Sequence, residues 1–162
     1  MVTVSNCAFG SVDQSHLFRQ LKRMDILLRL QILKARQRDS YWSTSELKGL
    51  YISEKEITDL FEDKFPIQAE TILSVTDPMV QSLYQELAEI EKQIDKKKGE
   101  SVCQGVPLRL DRLVDLFELS PFDKEALLLC LLPELDIKYE RIFGYIQDDV
   151  TKRRPTVALI FD

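Results

Sequence analysis

Adjacent carboxylates are raw material for general acid–base work and for holding a hard cation, and Asp148–Asp149 is such a pair. Lys152, Arg153 and Arg154 follow closely behind. The competing reading is a polar helix end whose acids pair with those cations, as exposed helix ends commonly do. We favour the helix end. Glu134 and Asp136 are expected to join the same charges in one ion-pair network that fixes the loop. Exposed pairs contribute only about 0–1 kcal/mol each, so such a network would orient the loop more than stabilise the fold.

Other chemistry has little to stand on. His16 is the one histidine, so a His-based metal site or a Ser-His-Asp triad would hang on that residue alone. We expect it at the surface near a helix start. Cys7, Cys103 and Cys130 are widely spaced and contain no Cys-x-x-Cys pair, which reads as reduced thiols of a cytosolic protein. Cys130 is expected to be a small core residue. The sequence contains no Gly-x-x-x-x-Gly-Lys-Ser/Thr, Gly-x-Ser-x-Gly, His-Glu-x-x-His or Gly-x-Gly-x-x-Gly. We therefore expect no catalytic activity, cofactor or metal in this chain.

A basic face is the remaining candidate. Arg19, Lys22, Arg23, Arg29, Lys34, Arg36 and Arg38 share one predicted helix with Asp25. Such a face could contact phosphates. Net charge of −5 and a pI near 5.1 disfavour general binding to nucleic acid or to an anionic membrane, so a solvated face balanced by acidic neighbours is favoured. The opening residues lack a signal-peptide pattern, and the apolar run 126–132 is far shorter than the roughly 20 residues that cross a bilayer.

The elements that would position these residues are helical. Leu17, Leu21, Met24, Leu28, Ile32 and Ala35 form one apolar stripe over 13–38, and Ile26, Leu30 and Leu33 a second on nearly the opposite side. A helix apolar on two faces sits between two partners, in a bundle or at an oligomer contact. Two short helices follow, opened by the capping boxes Ser43–Glu46 and Ser53–Glu56. Gly49 is expected to end the first of them, and Phe65-Pro66 marks a break. Tyr41 and Trp42 read as a packing plug. Asp77-Pro78 opens a helix with a seam of Val80, Leu83, Leu87, Ile90 and Ile94, which we read as intramolecular packing before a dimer zipper. Lys96-Lys97-Lys98-Gly99 is expected to close it, leaving 99–105 as linker.

Beyond the linker, Pro107 is expected to start a helix carrying Leu110, Leu113, Val114 and Phe117. Ser120-Pro121-Phe122-Asp123 opens a helix apolar almost all round, which Pro133 ends or kinks. Asp136 caps the next, with Tyr139, Ile142, Phe143 and Ile146 inward. Pro155-Thr156 starts a last apolar helix that either folds back on 127–132 or leads into a neighbouring module. Few strand signals are present, and no wing hairpin is visible in the pattern.

Two segments resemble a known family. Residues 119–159, with Leu-Ser-Pro-Phe, the Leu-Leu-Leu core, Pro-Glu-Leu-Asp, Ile-Gln-Asp-Asp and Arg-Arg-Pro-Thr-Val, resemble the winged-helix-variant domain that precedes the ATPase module in a family of prokaryotic AAA+ ATPases. Residues 47–60, with Gly-Leu-Tyr-Ile-Ser before Glu56-Ile57 and Leu60, look like the N-terminal region of the same proteins. The resemblance implies an ATP-binding module after residue 162, and a role for this chain in recognising protein partners or coupling them to that ATPase. The helix over 136–147 departs from a DNA reader, since Asp136, Lys138, Glu140 and Arg141 leave it about neutral.

The expected architecture is mainly α: an N-terminal helical bundle over 1–98, then a winged-helix-like helical domain over 106–162. The expected function is a non-catalytic interaction and regulatory region of a cytoplasmic AAA+ protein. A nucleic-acid-binding helical or winged-helix module is the alternative. The residues singled out for interaction are Arg19, Lys22, Arg29, Arg36, Asp136, Asp148, Asp149, Arg153 and Arg154.

Overall fold

The computed structural model describes residues 6–40, 54–60 and 77–161, with side chains over 12–35, at Glu56, Ile57, Asp59 and Leu60, and over 77–160. Tyr41, Trp42, the Ser43–Glu46 box, Gly49, Ser53 and Phe65-Pro66 lie outside the described residues, as do the side chains of Arg36 and Arg38. Among the described residues the chain is mainly α, with seven helices and no strand.

α1 (Asn6–Ser40) is the axis. Both predicted stripes are inward: Leu21, Met24, Leu28, Ile32 and Ala35 on one, and Ile26, Leu30 and Leu33 on the other, are all buried. Two apolar faces need two sets of partners. α3 (Pro78–Gln104) provides one, while α5 (Pro121–Leu135) and α6 (Lys138–Ile146) provide the other. α3 lays its seam on α1, with Leu83, Ile90 and Ile94 buried and Val80 and Leu87 packed beside them. α2 (Glu54–Leu60) buries Ile57 and lies on α6.

Side-chain caps explain the starts of α3 and α5. Asp77 Oδ1 accepts the Met79 N–H at 2.8 Å, with Pro78 in the first turn. Ser120 and Asp123 form the reciprocal capping box of α5. α4 (Arg109–Leu116) has no cap of its own. Instead Asp13 of α1 reaches across, accepting the Arg109 N–H at 2.8 Å and pairing with its guanidinium at 3.3 Å.

Four expectations need correction here. α3 does not stop at Lys98 and Gly99; the helix continues through the supposed linker to Gln104. The Lys97–Glu100 pair at 2.7 Å extends the charged face past Gly99, and Gly105, at φ +65°, is the residue that takes the left-handed stop. The Val106 N–H returns to the Ser101 carbonyl and the Gly105 N–H to Val102, a Schellman ending. The next helix begins at Arg109 rather than Pro107. Pro133 sits inside α5, which runs on to Leu135; only a last partial turn remains, and the Asp136 N–H still closes on the Leu132 carbonyl at 3.0 Å. Nor is α5 buried all round: Leu128, Leu129 and Leu132 face the core, whereas Leu127 and Cys130 are exposed on the far side and Leu135 at the helix end.

The short α7 (Val157–Phe161) folds back on α5 and buries Leu159. One contiguous core joins α1, α2, α3, α5, α6 and α7.

Candidate functional site

The C-terminal charges occupy the turn after α6. Asp148 adopts φ +50° as that helix ends, and the Asp149 N–H returns to the Gly144 carbonyl at 2.9 Å. Glu118 plays the same part after α4, at φ +51°, with the Leu119 N–H on the Val114 carbonyl. Both positions carry an acid where glycine is the unstrained choice.

The expected single network is in fact a set of separate pairs. Asp149 holds its own turn, accepting the Thr151 N–H at 2.9 Å and hydroxyl at 2.6 Å, with Lys152 at 3.7 Å. The Thr151 hydroxyl and N–H keep its carboxyl below the usual carboxylate range. Arg153 pairs with Glu140 at 3.8 Å and Arg154 with Glu134 at 2.6 Å. Asp136 accepts the Lys138 N–H at 2.9 Å. Asp148 is exposed and joins none of these pairs. What fixes the loop is Gln147, which sequence reasoning passed over. Its amide donates to the carbonyls of Phe143 and Arg154 at 3.1 and 3.0 Å, and its oxygen accepts the Thr156 N–H at 3.1 Å. A glutamine after a helix carries no sequence signal for such a clasp.

Three of the α1 cations are neutralised one by one. Lys22 meets Glu86 at 3.0 Å. Arg23 bridges Glu91 on α3 and Glu125 on α5, at 3.0 and 2.9 Å. Arg29 donates to Asp25 at 2.9 Å. Arg19 differs: its guanidinium donates to the Ser15 carbonyl at 3.1 Å and to the Ser15 hydroxyl, both neutral acceptors.

Asp25 is the buried polar node. Its second oxygen accepts the Tyr139 hydroxyl at 2.8 Å, and the Lys138 ammonium lies 3.9 Å away. Burial, and then the Asp25 charge, push the Tyr139 phenol above its ordinary range. The node ties α1 to α6 across the core. His16 is also buried, contrary to expectation, because α1 starts at Asn6 and carries residue 16 well inside the helix. Its Nδ1 has no hydrogen-bond partner, and Gln20 Nε2 lies 3.4 Å from its Nε2. Among the described residues no group of three or more His, Cys, Asp or Glu is arranged for a metal ion.

α6 decides what this architecture can present. It is the second helix of a tight helix–turn–helix, following α5 after only Asp136 and Ile137. In a DNA-reading motif that helix enters the major groove. Here Tyr139, Ile142, Phe143, Gly144 and Ile146 are buried against α1, α2 and α5. Its outward Arg141 is tied to Glu56 of α2 at 2.6 Å.

A family model described as winged helix domain, variant, matches residues 11–162. The chain belongs to this family. The match begins within α1 and runs through α7, so the whole described core lies inside the winged-helix variant. Searches of the curated proteins and of the solved structures returned no match. Membership supports a binding module for DNA or protein in general. Among the described residues, no helix is long and apolar enough to cross a membrane.

Proposed function

We propose that this winged-helix variant is a non-catalytic module that recognises protein partners. The observation that carries the reading is the embedding of α6: its inner face is core, and its exposed Arg141 is already paired. The face left for a groove carries Lys138, Glu140 and Arg141, whose charges nearly cancel and which pair with Asp25, Arg153 and Glu56. Pairing of the largely covered Arg23 and Arg29 with carboxylates further lowers the phosphate-binding capacity of α1. Exposed apolar side chains such as Leu116, Phe117 and Ile137 suit protein contacts.

The resemblance of residues 47–60 and 119–159 to prokaryotic AAA+ proteins supports a finer proposal. The module regulates, or delivers partners to, an ATPase module beyond residue 162, and holds no cofactor itself. A reading frame that continues past Asp162 into a Gly-x-x-x-x-Gly-Lys-Ser/Thr loop is the expected finding. A native stop codon there would remove the ATPase coupling.

Nucleic-acid binding is the alternative, and fluorescence anisotropy with duplex and single-stranded oligonucleotides at low salt separates the two. We expect no saturable binding at micromolar protein. Binding that falls steeply with salt and is weakened by Lys34→Glu with Arg36→Glu would favour the alternative. Arg29 is a poor probe, since its guanidinium partners the buried Asp25 and its reversal would test folding.

A further inference from the structure

A groove runs between α1 and α3, lined by Gln14, Phe18, Arg19, Lys22, Ile90 and Gln93. Three features of it belong together. Phe18 is 66% exposed although it sits on the most buried helix of the fold. Arg19 has no carboxylate within ion-pair distance among the described residues, unlike Lys22, Arg23 and Arg29 on the same helix. The Lys22–Glu86 pair at the rim is half exposed at both ends, so it exchanges readily with other partners. Guanidinium carries five N–H donors, and Ser15 occupies only one nitrogen.

We infer that this groove docks an acidic, amphipathic segment of a partner protein; the inference deepens the protein-binding reading above and rests on it. A carboxylate of the segment meets the open edge of Arg19, completing the charge pair that α1 lacks there. An apolar side chain one helical turn away covers Phe18 and the edge of Ile90. The segment's next acid competes with Glu86 for Lys22. A nucleic acid fits less well: the exposed Glu89 and Glu91 and the half-buried Glu86 of α3 would repel a continuous run of phosphates, whereas a segment with two spaced carboxylates can meet Arg19 and Lys22 and present apolar side chains between them.

The test uses the full chain, isotope-labelled, titrated with a short peptide of glutamate and leucine at helical spacing and with its lysine-for-glutamate counterpart. The acidic peptide should shift the amides of Phe18, Arg19 and Ile90 saturably, and the basic one should not. Arg19→Glu and Phe18→Ala should each weaken binding about tenfold or more, with the rest of the spectrum intact. Absence of shifts at millimolar peptide, or equal binding by Arg19→Glu, overturns the groove. Shifts confined to another face also overturn it while leaving the protein-binding reading in place. An oligonucleotide that perturbs these same amides overturns both.

Discussion

His16 is neutral at physiological pH because burial outweighs the pull of Asp111 and Asp13; Lys124 and Lys98 oppose that pull. Its pKa is lowered from 6.5, so below that value the unfolded chain binds a proton the native chain resists. The resulting stability is fully present above 6.5 and is lost as pH falls through the lower native pKa. As the one histidine, its ring proton should titrate by NMR with a midpoint below 6.5, and a midpoint at or above 6.5 would contradict the burial. Asp25 is the second residue on which much depends. Asp25→Ala leaves the Tyr139 hydroxyl without its acceptor and removes the carboxylate that accepts from Arg29 at 2.9 Å. We expect a loss of about 3 kcal/mol, read as a lower denaturant midpoint at unchanged slope. Neither residue could be recognised for this in the sequence. A lone histidine and an acid flanked by cations look like surface until the distant partner, more than a hundred residues away for Asp25, is known.

Helices were legible where the signal is local. Asp77-Pro78 and Ser120-Pro121-Phe122-Asp123 cap α3 and α5 as their chemistry demands. The two stripes of α1 correctly foretold partners on two sides. Local signals misled where two of them competed. Lysines before a glycine form a proper stop, but another glycine six residues on forms a better one, and the helix takes the later ending. Paired substitutions measure this. A Cβ at Gly99 meets nothing within 4 Å, so Gly99→Ala should stabilise by about 0.5–1 kcal/mol through helix propensity. Gly105→Ala should destabilise by about 1 kcal/mol, because φ is +65° there. Thermal or chemical denaturation with the reverse order would return the helix end to Lys98. The candidate site was less legible than the helices: the Asp148–Asp149 pair was visible, but the Gln147 clasp rests on carbonyls that no side-chain pattern encodes.

At the scale of the whole molecule, α1 is the element on which the rest closes. Residues from both the expected bundle and the expected winged-helix part share its core, and the family match spans both. A fragment ending at Gln104 keeps α3 but lacks α5 and α6. We expect it to bind a hydrophobic dye, associate, and unfold without a sharp transition. A monomeric fragment with cooperative unfolding would show that α1 and α3 are self-sufficient. The order of the chain has a consequence for its birth. The axis is made first, while the helix that covers its second face ends at Ile146, about a hundred residues later. At about 5–20 residues per second, α1 leaves the ribosome roughly 5–20 s before that cover exists. In that interval its second apolar face is open to anything that binds nascent chains, and the step that completes the fold waits on translation.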